Sequence, residues 1–271
     1  MCIFFSVYSY KTKRTGDAEV MEALRELAEL HSSWGFWMMY HRLRNCNHSW
    51  NHKKVYRIYT MMKLNRRRKF KKRLPARVRE PLSYPIGPNI TWSIDFMHDG
   101  LTNGKTFRSF NVLDDFNREV LNITIDTSLT SRRVIRELDK LIDWRGKPEK
   151  IRVDNGPEFV AEAMREWTEK REIELKFIQK GKPYQNGLVE RFNRTYREEV
   201  LDKFAFDNLR QTQLLTNAWM WIYNNERPHS GLQYYTPAAF LLKYGKLEKE
   251  FPTFQQDCNN KWKSLVLGAT N

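Results

Sequence analysis

The stretch Thr91–Leu113, TWSIDFMHDGLTNGKTFRSFNVL, decides the fold. Trp92, Ile94 and Phe96 alternate with Ser93 and Asp95, the period-two pattern of a strand. Asp95 therefore faces away from the three apolar side chains. Asp99–Lys105, with Gly100, Asn103 and Gly104, reads as a turn into a second strand, Phe107–Leu113. A further turn at Asp114–Arg118 leads to a third strand, Val120–Ile125, and the three make an antiparallel meander.

Downstream the period changes. A helix is predicted over 130–144, ending at Gly146–Pro148, then a short strand Lys150–Val153. A helix from about Glu158 follows, with Val160, Met164 and Trp167 inward, and then a strand Glu174–Ile178. The order β-β-β-α-β-α-β, followed by helices, predicts an α/β mixed sheet flanked by helices.

Two more acids share a region with Asp95. Asp154 follows Ile151 and Val153 and precedes Asn155-Gly156, so it stands where a strand ends. Ligands bind at that end of open α/β sheets, although Asp-Asn-Gly is also simply a good turn sequence. Glu190 falls on a helix that starts at Leu188, after a loop marked by Gly181, Pro183 and Gly187. Val189, Phe192, Tyr196 and Val200 form its buried stripe, and Glu190, Arg194 and Arg197 share another face. That second face is equally the pattern of a surface ion pair. Together, three carboxylates on three elements suit two hard divalent cations side by side.

The upstream third is different. The chain has 271 residues and a net charge of +15, yet residues 1–80 hold 19 Lys+Arg against 6 Asp+Glu and the rest is nearly balanced. Such a concentrated surplus points to a polyanion, most simply nucleic acid. Asp17 is placed to cap a helix over 18–30 with Val20, Leu24 and Leu27 inward. After a break at His31–Gly35, a second helix carries Phe36, Met39, Tyr40 and Leu43 on one face. Asn51 caps a third, with Val55, Ile58, Tyr59 and Met62 inward and His52, Lys53, Lys54 and Arg57 outward. This reads as a helix-turn-helix, or as a small helical bundle with a solvated basic face. Arg66, Arg67 and Arg68 open a basic run to Arg73, followed by Pro75, Pro81, Pro85 and Pro88, a linker suited to lie along phosphates.

The expected organisation is a helix-turn-helix domain over 1–62, a basic linker over 63–88, a catalytic core over 89–245 and a tail over 246–271. Cys2, Cys46 and Cys258 are far apart, which excludes a disulfide scaffold or a cysteine zinc cluster. No apolar run approaches a membrane helix, and Met1–Tyr10 makes a poor signal peptide. The sequons at Asn89 and Asn122 read as chance matches.

The words WSIDF, VLDDFNRE, IRVDNGPEF, GKPYQNGLVERFNRTYREEVL, YNNERPHSGL and TPAAF, in this order, resemble the second reading frame (OrfB) of IS-three-family insertion-sequence transposases. These enzymes have the ribonuclease H-like core of DDE transposases and retroviral integrases. The resemblance implies that Asp95, Asp154 and Glu190 are the catalytic, metal-binding triad for two Mg²⁺ (or Mn²⁺) ions. It implies that Arg197 lies near the DNA end, with Lys182, Gln185, Asn186 and Asn193 in the loop and helix that approach DNA; Arg194, on the helical face of Glu190, is placed by its spacing to reach a phosphate. Asp114 and Asp115 match a family motif but belong to a turn, and His229 is expected to pack or contact phosphate. Tyr223–Leu232 is expected to pack behind the site. The implied partners are double-stranded DNA (element terminal repeats and target), further copies of the chain, and the product of an upstream frame, OrfA, in the bacterial cytoplasm at the nucleoid. A DNA-binding regulator without activity of its own and a ribonuclease H-type nuclease are the other classes.

Overall fold

The structure, a computed structural model, describes residues 16–65, 85–179 and 186–245. The chain divides into two compact units, Met1–Phe70 and Lys71–Asn271. Arg66, Arg67, Arg68, Lys182, Gln185 and the segment 246–271 lie outside the described residues.

Among the described residues the first unit contains three helices: α1 (Asp17–Leu30), α2 (Phe36–Asn45) and α3 (His52–Met61). Val20, Leu24, Met39, Leu43, Val55, Ile58 and Tyr59 are buried, as the helical spacing requires. Asn51 caps α3, its side-chain oxygen accepting from the Lys53 backbone N–H at 2.8 Å. In the break after α1, His31 stacks on buried Trp34 with ring centroids 3.8 Å apart. The start of α1 departs from expectation. Gly16 is the N-cap, at φ 75°, a left-handed conformation that suits glycine. Asp17 is instead the first helical residue, and its carboxylate turns toward α3. There Arg57 Nη2 donates to both of its oxygens at 2.9 Å and Lys54 Nζ stands 3.9 Å away.

The second unit is built on a five-stranded sheet in the order β3-β2-β1-β4-β5. β1 (Thr91–Gly100), β2 (Thr106–Asp114) and β3 (Val120–Asp126) are antiparallel neighbours. β4 (Lys150–Val153) and β5 (Glu174–Phe177) join β1 in parallel. α4 (Ser131–Arg145) links β3 to β4, and α5 (Pro157–Val160) and α6 (Glu162–Arg171) link β4 to β5. After β5 come α7 (Gly187–Tyr196), a π-helical turn (Arg197–Leu201), α8 (Leu209–Asn225) and α9 (Pro237–Tyr244).

One sheet face carries Trp92, Ile94, Phe110, Val112, Ile151 and Val153, packed with Val134, Leu138, Phe159 and Met164. Each such side chain fully removed from water contributes about 1.5–3 kcal/mol. The opposite face is buried too, and Ser93, Ser109 and Asn111 there are at most 1% exposed. The alternation in β1 thus separates two covered faces, one apolar and one in which Ser93, Asp95 and Asn111 lie among apolar side chains such as Leu113 and Ile123, not core from solvent.

A single helix from Glu158 does not form. Ala161, at ψ 142°, breaks it into α5 and α6, which rotates the phase. Phe159 is buried in place of Val160, which is 48% exposed; Met164 and Trp167 are buried as expected.

β3 is an edge strand, and α8 closes its bare side. Gln213 accepts from the Ile125 N–H at 2.9 Å and donates to the Ile123 carbonyl at 2.8 Å. Asn224 accepts from the Val120 N–H and donates to its carbonyl, both at 2.9 Å. Backbone groups of an edge strand are otherwise open to another chain.

Candidate active site

The three predicted acids come from three elements of the second unit. Asp95 lies in the middle of β1, the central strand, and is half-buried. Its Oδ2 accepts from Asn193 Nδ2 of α7 at 2.7 Å, and its Oδ1 accepts from the Phe96 N–H at 3.0 Å. Asp154 directly follows β4, where its Oδ1 accepts from the Gly156 N–H at 3.0 Å and shapes the turn. A side chain at Gly156 would stand 3.0 Å from the Asp154 carboxylate and 3.3 Å from that of Glu158, so both carboxylates would have to give way slightly to admit one. Glu190 sits exposed in the first turn of α7, on the face opposite buried Val189 and Phe192.

Asp95 responds to the other two acids. Burial is the main cause that pushes the Asp95 carboxyl up to about 6, and the charges of Asp154 and Glu190 push the same way. The backbone bond from Phe96 and the amide of Asn193 act in the opposite direction. Among the described residues, no three His, Cys, Asp or Glu side chains converge as they stand into a ligand set for one ion. The donor chemistry nonetheless suits a hard divalent cation: carboxylate oxygens, one of them partly desolvated and raised by its anionic neighbours.

Around the acids, several side chains have definite partners. Arg197 Nη2 donates to the His98 carbonyl at 2.9 Å and Nη1 approaches Asp99 Oδ2 at 3.4 Å, tying α7 to the end of β1. Arg194 is exposed one turn from Glu190. Asn186 is 3% exposed, and Asn193 is held between Asp95 and Asn111, positions not evident from the sequence. In the first unit Lys53 is exposed, whereas Arg57 and Lys54 face Asp17.

Asp114 and Asp115 stand apart from the acids. Asp114 accepts from the Asn89 and Phe116 N–H groups at 2.9 Å, and burial pushes it up to about 7. Asp115 pairs with Arg152 at 2.7 Å and accepts from Ser93 Oγ at 2.6 Å. His229 is buried against Tyr223 and its Nε2 meets the Tyr223 carbonyl at 3.2 Å; burial lowers its pKa well below the usual histidine value.

Reading from the sequence missed two features. Asn111 donates to Asn193 from the sheet face that also carries Asp95. The pair Arg108–Glu158 stands beside the Asp154 turn, with Arg108 lying 4.4 Å over the Phe96 ring. The available signal was a polar residue on each face of β2, Arg108 and Asn111, in a strand that up to its terminal Asp114 is otherwise built from apolar and small residues.

A central antiparallel-then-parallel sheet with carboxylates on its middle strand, at the next strand's end and on a following helix defines a ribonuclease H-like, integrase-type core. The integrase core domain family matches residues 86–183 and 171–237, and the HTH-like domain family matches residues 16–72. The chain belongs to the integrase-core DDE transposases of insertion elements, in the group of IS-three-family OrfB proteins. It is similar to the uncharacterized 31.7 kDa protein of insertion element IS407 from Burkholderia multivorans, at 36% identity over 93% of this chain and 91% of that protein. The uncharacterized 39.2 kDa protein of insertion element IS476 from Xanthomonas euvesicatoria is 38% identical over 82% of this chain, which spans 64% of that longer protein. A chain of the simian T-cell lymphotropic virus intasome, solved with a PP2A regulatory subunit, shares the fold with a TM-score of 0.50 at 21% identity, over 84% of this chain and 78% of that one. No helix among the described residues is long and apolar enough to cross a membrane.

Proposed function

We propose that this transposase cuts DNA strands at the ends of an insertion element and joins them to target DNA, with Asp95, Asp154 and Glu190 as its catalytic acids. The observation that carries the assignment is placement: Asp95 stands on the central strand β1, Asp154 follows the neighbouring strand β4, and Glu190 lies on α7, whose Asn193 bonds to Asp95, with the charges of Asp154 and Glu190 both raising the Asp95 carboxyl. These three carboxylates would hold divalent cations, Mg²⁺ or Mn²⁺, two in number by analogy with related polynucleotidyl transferases. Bound cations would supply charge neutralisation at the scissile phosphate and lower the pKa of an attacking hydroxyl. The chain's own residues orient the substrate. Exposed Arg194 can reach a phosphate beside Glu190, and Arg197, braced against the end of β1, presents a fixed guanidinium edge.

DNA is held by the basic first unit and linker, with Lys53 of α3 as the most open of the recognition-helix cations. Lys182, Gln185, Arg66, Arg67 and Arg68 belong to the same proposed surface by their sequence positions. The active assembly is a multimer on double-stranded DNA, joined with the product of the upstream frame, at the bacterial nucleoid.

The deciding assay is Mg²⁺-dependent nicking of element-end duplex by the full chain and by Asp154→Ala. Nicking that survives this substitution would falsify the catalytic assignment. Faster cleavage of an RNA–DNA hybrid than of the element-end duplex would move the enzyme to the ribonuclease H class. DNA binding without any nicking by the unaltered chain would leave a regulator.

A further inference from the structure

Asn111 lies on β2 directly across from Asp95 in the strand register and is fully buried. Its Nδ2 donates to Asn193 Oδ1 at 2.7 Å, and Asn193 Nδ2 donates to Asp95 Oδ2 at 2.7 Å. The direction of this chain is forced. A carboxylate only accepts, so Asn193 must turn its NH₂ group to Asp95. Its carbonyl oxygen then faces Asn111, which must donate. The reverse arrangement would set the Asn193 oxygen against a carboxylate oxygen.

The fold bears a cost for this arrangement. The Asn111 Oδ1 is buried and has no hydrogen-bond partner. An unpaired buried acceptor is destabilising, and an apolar residue of similar shape avoids it. A purely structural side chain at this position would gain by being apolar, as Val112 and Phe110 beside it are. Side chains behind a metal ligand commonly fix its orientation through such a bond.

We infer that Asn111 is a positioning residue for the acid site: it fixes the Asn193 amide with its NH₂ toward Asp95, and so holds the Asp95 carboxylate in one orientation for a divalent cation. This rests on the reading of Asp95 as a metal ligand. Asn193 is half-buried on α7, whereas Asn111 is fully buried on a strand paired on both sides. The anchor of the acid is therefore on β2.

The test is a calorimetric titration of the full-length protein with Mn²⁺, in the absence of DNA, on Asn111→Leu, Asn193→Leu, the double variant and Asp95→Asn. Asn111→Leu is expected to weaken Mn²⁺ binding about tenfold or more, the usual effect of removing a group behind a metal ligand. Asn193→Leu should do the same, and the double variant should be no weaker than Asn193→Leu alone, because the two act in series. Metal-free binding to duplex DNA should not change in Asn111→Leu. Should that variant not fold, Asn111→Thr keeps strand propensity with a hydroxyl too short to reach Asn193, and carries the same expectation. If Asp95→Asn weakens Mn²⁺ binding and a folded Asn111 variant does not, the inference fails and Asp95 keeps its role. Loss of folding in both Asn111 variants would make Asn111 a core residue and also overturn the inference. No effect of Asp95→Asn would overturn the site itself.

Discussion

Asp17 of α1 and Arg57 of α3, forty positions apart in sequence, are joined: one guanidinium nitrogen donates to both carboxylate oxygens at 2.9 Å. The acid that looked like a helix cap is thus a clasp between α1 and α3 of the basic unit. Arg57 serves packing at least as much as any phosphate. Arg57→Ala is expected to cost about 1 kcal/mol of stability in that unit, the upper range for a partly exposed pair. It should weaken binding to duplex DNA less than Lys53→Ala does. Fluorescence anisotropy with both variants at two salt concentrations checks this, and a larger loss for Arg57→Ala would reassign it to the DNA surface.

The Asp95 carboxyl makes stability depend on pH. Its folded pKa of about 6 lies above the ordinary value of 3.8, so ionising it opposes folding. The contribution is fully present below pH 4 and is lost as pH rises through about 6. A displacement of that size is worth about 3 kcal/mol at most, and partial exposure reduces it to about 1–2 kcal/mol. In EDTA, Asp95→Asn should therefore melt several degrees higher than the unaltered chain at pH 7 and equally at pH 4. Equal melting at both pH values would show that the carboxyl is not raised.

The broken helix after β4 sets a contrast between adjacent residues. Phe159 is 1% exposed and Val160 48% exposed. Phe159→Ala should cost about 3–5 kcal/mol, the range for a deleted core aromatic, and Val160→Ala less than about 0.5 kcal/mol. Urea denaturation of the two variants measures the difference, and similar costs would mean one unbroken helix.

Arg227 donates to Glu199 at 3.1 and 3.2 Å, and the Trp219 indole N–H reaches the other carboxylate oxygen at 3.0 Å. Glu199 lies in the π-helical turn that continues the helix bearing Glu190. Arg227→Met should destabilise by about 3–5 kcal/mol, since a buried carboxylate loses its counter-charge. Glu199→Gln in the same background should recover part of that loss. Melting curves of the single and double variants decide the matter, and an additive double would rule out the coupling.

Much of this was legible in the sequence, and for identifiable reasons. The strands β1 to β4 and the helices α1 to α4 follow from apolar periodicity and turn residues, which are local. The orientation of Asp95 followed from period two alone. What was hidden depends on distant partners. Asn111 meets Asn193 across 82 positions, and no periodicity announces a pair of amides. Asp17 satisfied every local rule for a cap, but Arg57 drew its carboxylate away. Val160 fell in phase with Met164 until Ala161 interrupted the helix. The acids Asp154 and Glu190 were legible as a pattern, while their electrostatic reach to Asp95 needed the folded chain.

The seal that Gln213 and Asn224 form along β3 bears on assembly. A strand offered by a second molecule finds the Val120 and Ile125 N–H groups and the Val120 and Ile123 carbonyls already taken, which disfavours extending the sheet on that side. Copies that gather on DNA must meet through other surfaces. The Asn224 of the YNNERPH segment then acts as a guard against self-recruitment, a task quite separate from cutting DNA.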